Sequence, residues 1–130
     1  MKCIPFCFVM LFFVFTFSSF AQEGNCDTDI PNKAIKKFEK YKKNFTKSHK
    51  ESREGIIALI EEYPNYVDPV YFLAEHYKES TFRTTSPELK EKLIAKTIAY
   101  YQQSIEICPE FSGHLAYYYL GIFYHKYEND

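Results

Sequence analysis

The chain nearly repeats itself, and that constrains its fold more than any other feature. Tyr71-Phe72-Leu73-Ala74-Glu75-His76-Tyr77 aligns with Tyr118-Tyr119-Leu120-Gly121-Ile122-Phe123-Tyr124. In each copy an aromatic pair precedes Leu, a very small residue follows, and Tyr closes the motif. Each copy also follows a proline, in Ile60-Glu61-Glu62-Tyr63-Pro64 and in Ile105-Glu106-Ile107-Cys108-Pro109, so the period is 45 to 47 residues. A period in that range is the mark of stacked helical units that cannot bury their apolar faces alone. The small residue (Ala74, Gly121) would let a neighbouring helix come close. Leu and Tyr would fill the groove beside it, and the proline would end the second helix so that the chain turns back.

The apolar spacing between these landmarks is helical. Ala34, Phe38, Tyr41 and Phe45 recur at steps of four, three and four, a single stripe on one helix face. Ile56, Leu59, Ile60 and Tyr63 form the next stripe, stopped by Pro64. Asp68-Pro69 reads as a helix start, a capping carboxylate before a first-turn proline, and Val70, Leu73, Ala74 and Tyr77 follow in register. Residues 80–85 read as a loop. Ser86-Pro87 opens a fourth helix, whose face runs through Leu93, Ile94, Ile98, Tyr101 and Ile105 to Cys108. Ser112 reads as the cap of a fifth helix ending near Tyr127. Five helices with no alternating strand pattern make an all-α chain. Expected to be buried are Leu73, Ala74, Tyr77, Ile98, Tyr101, Leu120 and Tyr124.

The amino terminus has a different character. Met1-Lys2 precede an apolar run from Ile4 to Phe17, and Ser19 and Ala21 are small residues suited to cleavage after Ala21. That is the pattern of a secretory signal peptide over 1–21, followed by a polar leader over 22–31 and a helical domain over 32–130. The run is short for a membrane span of about 20 residues, so no span is expected after cleavage. Cys3 and Cys7 leave with the signal, while Cys26 and Cys108 remain. Export to an oxidising compartment permits one disulfide between them. Sequence leaves open whether they pair or stay independent thiols.

Chemistry is not written in this chain. His49, His76, His114 and His125 lack metal-ligand spacing, and the two mature cysteines stand 82 residues apart, unlike a zinc site. There is no phosphate loop and no nucleophile elbow. No catalytic, cofactor-binding or metal-binding residue is expected. Charge is uneven: residues 32–53 hold nine basic side chains against two acidic, a net of +7, whereas residues 54–130 hold six basic against twelve acidic, a net of −6. The near-neutral total argues against a nucleic-acid partner. The fifth helix is aromatic nearly all round, with Tyr117, Tyr118, Tyr119, Phe123, Tyr124 and Tyr127. A helix of that kind is expected to self-associate or to meet a partner.

Leu73-Ala74 with Tyr77, then Thr97, Tyr101, Ser104 and Pro109, then Leu120-Gly121 with Tyr124, resemble the tetratricopeptide repeat family. Ser52, Ile56, Leu59 and Pro64 stand at the matching positions of the earlier second helix, and 11 residues around Thr81–Lys92 exceed the family period of 34. The resemblance implies a short α-solenoid of antiparallel helix pairs that binds a protein or peptide. Tyr71 and Tyr117 are the candidate groove residues. The order of leader, early cysteine, Tyr-Pro-Asn-Tyr, Tyr-Tyr-Gln-Gln-Ser-Ile-Glu-Ile-Cys-Pro and Tyr-Tyr-Leu-Gly is also similar to the amino-terminal repeat segment of Bacteroidetes-type envelope proteins. In those a PD40-type propeller and an OmpA-like domain follow, and members serve gliding or type IX secretion. That likeness implies a non-catalytic scaffold, periplasmic or outer-membrane-associated, otherwise secreted. The alternative it carries is a truncated fragment, incomplete at its carboxyl end and without independent activity. Export is directly testable: mass spectrometry of the mature protein should place its amino terminus at Gln22, and an intact Met1 on exported material would reject cleavage.

Overall fold

The structure is a computed structural model that describes residues 26 and 29–127. The expected signal peptide over 1–21 lies outside the described residues, as does most of the polar leader. Five α-helices follow in order: α1 (Asn32–Asn44), α2 (His49–Glu62), α3 (Val67–Arg83), α4 (Pro87–Ile107) and α5 (Leu115–Tyr127), with a tight turn at Phe111–His114 before the last. No strand occurs among the described residues. Each helix packs chiefly on its neighbours in sequence, and α3 against α4 is the most extensive contact.

The helix starts show which local signals were strong enough to act. Ser86 caps α4 as expected, its hydroxyl accepting from the Leu89 N–H at 3.4 Å with Pro87 in the first turn. At α3 the expectation shifts. Tyr66, not Asp68, stands at the cap, and Asp68 lies inside the first turn. Burial of Tyr66 and Val67 in the core draws the start forward, and the Asp68 carboxylate then sits at the positive end of the helix. The loop expected over 80–85 is also corrected, because α3 continues to Arg83 and only 84–86 connect it to α4. Ser80 and Thr81 remain helical by donating their hydroxyls to the carbonyls of His76 and Tyr77, at 2.9 and 2.8 Å. The residues beyond a 34-residue period therefore lengthen α3 and α4 instead of bulging between them. Ser112 is corrected too. It has φ 55°, inside a left-handed turn shared with Gly113 and His114, and α5 begins after it.

Two core clusters meet at α3. Leu73 and Tyr77 join Ala34, Phe38, Ile56 and Leu59 in the first. Ala74 joins Tyr101 and Ala116 in the second. The second helices bury matching triads, Ser52, Ile56 and Leu59 on α2 and Thr97, Tyr101 and Ser104 on α4, every one at 2% exposure or less. Small hydroxyl residues can occupy such tight positions because Thr97 and Ser104 donate to the carbonyls of Leu93 and Tyr101, both at 2.8 Å, leaving no orphaned donor. Gly55 plays the small-residue part between α1 and α2, where any side chain would run into the Tyr41 ring.

The fifth helix departs from expectation. Gly121 is exposed, and a Cβ placed on it would meet nothing within 4 Å. Leu120, Tyr124 and Ile98 are half-buried. The side of α5 that is buried carries Ala116 and Phe123, so the aligned small residue points away from the other described helices. The physical reason is partnership: Ala74 is buried because α4 covers it, and no described helix covers Gly121.

Cys26 and Cys108 are joined by a disulfide, with Cα atoms 5.5 Å apart and 82 residues between them. It ties the segment before α1 to the end of α4. Closing so long a loop restricts the unfolded chain, so replacing both cysteines by serine should cost roughly 2–5 kcal/mol. Urea unfolding of the two chains measures this, and an unchanged midpoint would show that the bridge contributes nothing.

Candidate functional site

A groove of about 300 Å³ opens between α1, α3 and the turn before α5, lined by Phe38, Tyr71, Phe72, Glu75 and Phe111 among others. Its aromatic walls follow from helix geometry. Tyr71 and Phe72 are adjacent on α3 and diverge to either side, while Phe38 approaches from α1. Phe38 meets Phe72 edge-on at 5.8 Å between centroids, and Tyr71 meets Phe111 at 5.2 Å. Edge-to-face pairs of this kind fix ring orientation. Lys42 lies 5.7 Å over the Phe38 ring and brings a positive charge to the rim.

Beneath the aromatics is a partly buried polar cluster. Tyr101 donates its hydroxyl to Glu75 Oε1 at 2.5 Å, and Lys78 Nζ donates to Glu75 Oε2 at 2.6 Å. Lys78 is only 5% exposed, and its ammonium sits 3.6 Å from the centre of the Tyr119 ring. Burial raises the Tyr101 hydroxyl well above its ordinary value, and the Glu75 hydrogen bond adds to that. The hydroxyl therefore stays protonated as a donor. Burial likewise raises Tyr71, whose hydroxyl meets both Ser112 and Glu75. The cluster spans α3, α4 and α5. A carboxylate paired in this way is a fixed acceptor, not a free base.

The sequence-derived candidates separate here. Tyr71 lines the groove, half-buried. Tyr117 does not; it is 47% exposed on α5, its ring 6.1 Å from that of His114. Leu73, Ala74, Tyr77 and Tyr101 pack the helix contacts, and Pro109 follows the end of α4 at Cys108. Glu75, Lys78 and Phe111 were not singled out from sequence. Glu75 and Lys78 are an ordinary helical pair there, and the Tyr119 ring that covers the Lys78 ammonium comes from α5. A second, wider groove of about 630 Å³ runs along α4 and the end of α5, with Ile94, Ala95, Ile98 and Tyr127 in its lining. Among the described residues no three His, Cys, Asp or Glu side chains gather to hold a metal ion. No family model, curated protein or solved structure matches the chain.

Behind Phe72, His76 packs 4.6 Å from the His49 ring and 4.8 Å from Phe45. Burial lowers its pKa from 6.5 to about 4, helped by His49, Arg53 and Arg83 nearby. The sign of the consequence follows from the folded state refusing a proton that the unfolded chain accepts. Stability should be level above pH 6.5 and fall as the pH drops from 6.5 toward about 4. Urea midpoints measured across that window should show a shallower decline for His76→Leu than for the unsubstituted chain. Parallel declines would acquit His76.

Proposed function

We propose that the protein is a non-catalytic, exported helical-repeat module that resembles the tetratricopeptide repeat and holds a protein or peptide partner in the cell envelope. The matched triads of α2 and α4 support a repeated unit. Packing between chain neighbours is what a stacked array requires. The Cys26–Cys108 disulfide supports an oxidising compartment outside the cytosol.

The observation that carries the reading is the aromatic groove between α1, α3 and the turn, with polar groups at its rim and floor. Such a groove suits a peptide segment that inserts an apolar side chain between Phe38, Phe72 and Phe111 and presents its backbone to Tyr71 and Ser112. Peptides selected by display on the immobilised chain test this. Tyr71→Ala and Phe111→Ala should each weaken the selected peptides by tenfold or more, the usual cost of losing an aromatic anchor at a binding site. Leu89→Ala, on the exposed side of α4, should leave them unchanged. Peptides that bind all three variants alike, or a selection that yields none, would sink the groove.

A second reading is the repeat segment of a larger envelope protein, without activity of its own. What favours it is α5, where Leu115, Tyr117 and Tyr118 are all more than 40% exposed and Gly121 stands open. Exposed apolar area costs roughly 25 cal/mol per Å² in water, and terminal units of an array need a polar outer face. On this reading the purified chain self-associates with rising concentration in light scattering. A monomer at every concentration tells against it.

A further inference from the structure

The strongest charge feature of the molecule lies away from the groove. On α1, Lys36, Lys40 and Lys43 follow at steps of four and three, and Lys47 continues the series just past the helix end. At 3.6 residues per turn the four fall within about 60° of one another, along roughly 16 Å. They point nearly opposite to Ala34, Phe38 and Phe45, the buried residues of the same segment. All four are exposed, and none makes an ion pair among the described residues. Three lysines off this line are engaged: Lys37 with Glu62 at 2.8 Å, Lys42 with Glu39 at 3.9 Å and Lys50 with Glu54 at 4.0 Å. The acids of this region thus pair with those three lysines and leave the outward row uncompensated. The rest of the molecule has the opposite sign, a net of −6 over residues 54–130.

We propose that this lysine row is a docking surface for anionic lipid headgroups, which lays α1 along the membrane with the acidic bulk of the molecule turned away. Three observations choose a lipid surface over nucleic acid. The Cys26–Cys108 disulfide suits an oxidising compartment, where a bilayer offers an anionic surface. The apolar run from Ile4 to Phe17 precedes the row by fewer than twenty residues, and on the proposed export route that run brings the chain to a membrane. The row itself holds only lysines, point charges suited to phosphate at no fixed register, with no exposed aromatic to stack on a base.

Binding of the purified chain to phosphatidylcholine vesicles with and without phosphatidylglycerol tests this. A quadruple variant (Lys36→Gln, Lys40→Gln, Lys43→Gln, Lys47→Gln) is compared with a control that loses four positive charges off this face (Lys37→Gln, Lys42→Gln, Lys50→Gln, Arg53→Gln). Gln keeps helix propensity close to that of Lys, so α1 should persist in both. The row variant should lose roughly 1,000-fold of the phosphatidylglycerol-dependent partitioning, since each lysine near an anionic surface contributes about 1 kcal/mol, and the control should lose less than tenfold. Salt gives a reading on the unsubstituted chain that does not depend on folding: partitioning should collapse as ionic strength rises. Equal losses in the two variants, binding that ignores phosphatidylglycerol or salt, or tighter binding to duplex DNA at equal phosphate would each overturn the proposal.

Discussion

Everything in this molecule hangs on α3 being buried from two sides. Leu73, Val70 and Tyr77 face the pair made by α1 and α2, while Ala74 meets Tyr101 of α4 and Ala116 of α5. A helix buried so fully cannot satisfy its surroundings with large residues alone, because two neighbours must approach it closely. Ala74 at 0% exposure provides that closeness on α3, and Thr97 and Ser104 provide it on α4. The cost of burying hydroxyls is met within each helix, by bonds back to the carbonyl three or four residues earlier. Leu at Thr97 would satisfy the transfer of apolar area and still fail, since the extra bulk has nowhere to go.

Much of this was legible in the sequence, and the rest was hidden for identifiable reasons. The existence and order of five helices followed from apolar spacing. Ser86-Pro87 marked its helix start because hydroxyl and proline act locally. Asp68-Pro69 carries the same grammar, yet it was displaced by burial of Tyr66, a tertiary effect that no local pattern contains. The polar run over 80–85 looked like a loop because serine and threonine compete with the backbone. Inside α3 they bond to it instead. Gly121 failed for a different reason: its alignment to Ala74 holds, but a small residue is buried only when a second helix arrives to use it.

The candidate site was less legible than the fold. Tyr71 was visible as the first aromatic of a repeated motif. Phe111 had no pattern around it, and it reaches Tyr71 only through the left-handed turn at Ser112, Gly113 and His114. Left-handed geometry at two non-glycine residues is unfavourable, of order 1–3 kcal/mol each. The turn keeps it because His114 Nδ1 lies 3.2 Å from the Pro109 carbonyl oxygen and because Tyr71 packs on Phe111. The groove wall and the strained turn therefore depend on each other. Glu75 and Lys78 show the same dependence across a longer distance, since Tyr119 covers the ammonium from a helix more than forty residues away.

A chain whose helices contact mainly their neighbours in sequence has a weakness that the disulfide addresses. Local packing lets one end open while the other stays folded, because few contacts run the length of the chain. The Cys26–Cys108 link crosses that weakness, joining the segment before α1 to the residue that ends α4. Opening α1 away from α3 must then work against a closed loop and not against a free end. The groove is framed by α1, α3 and the turn just after Cys108, so the same link holds two of its walls at a fixed separation. The lysine row faces outward from α1 and gains rigidity from the bridge as well.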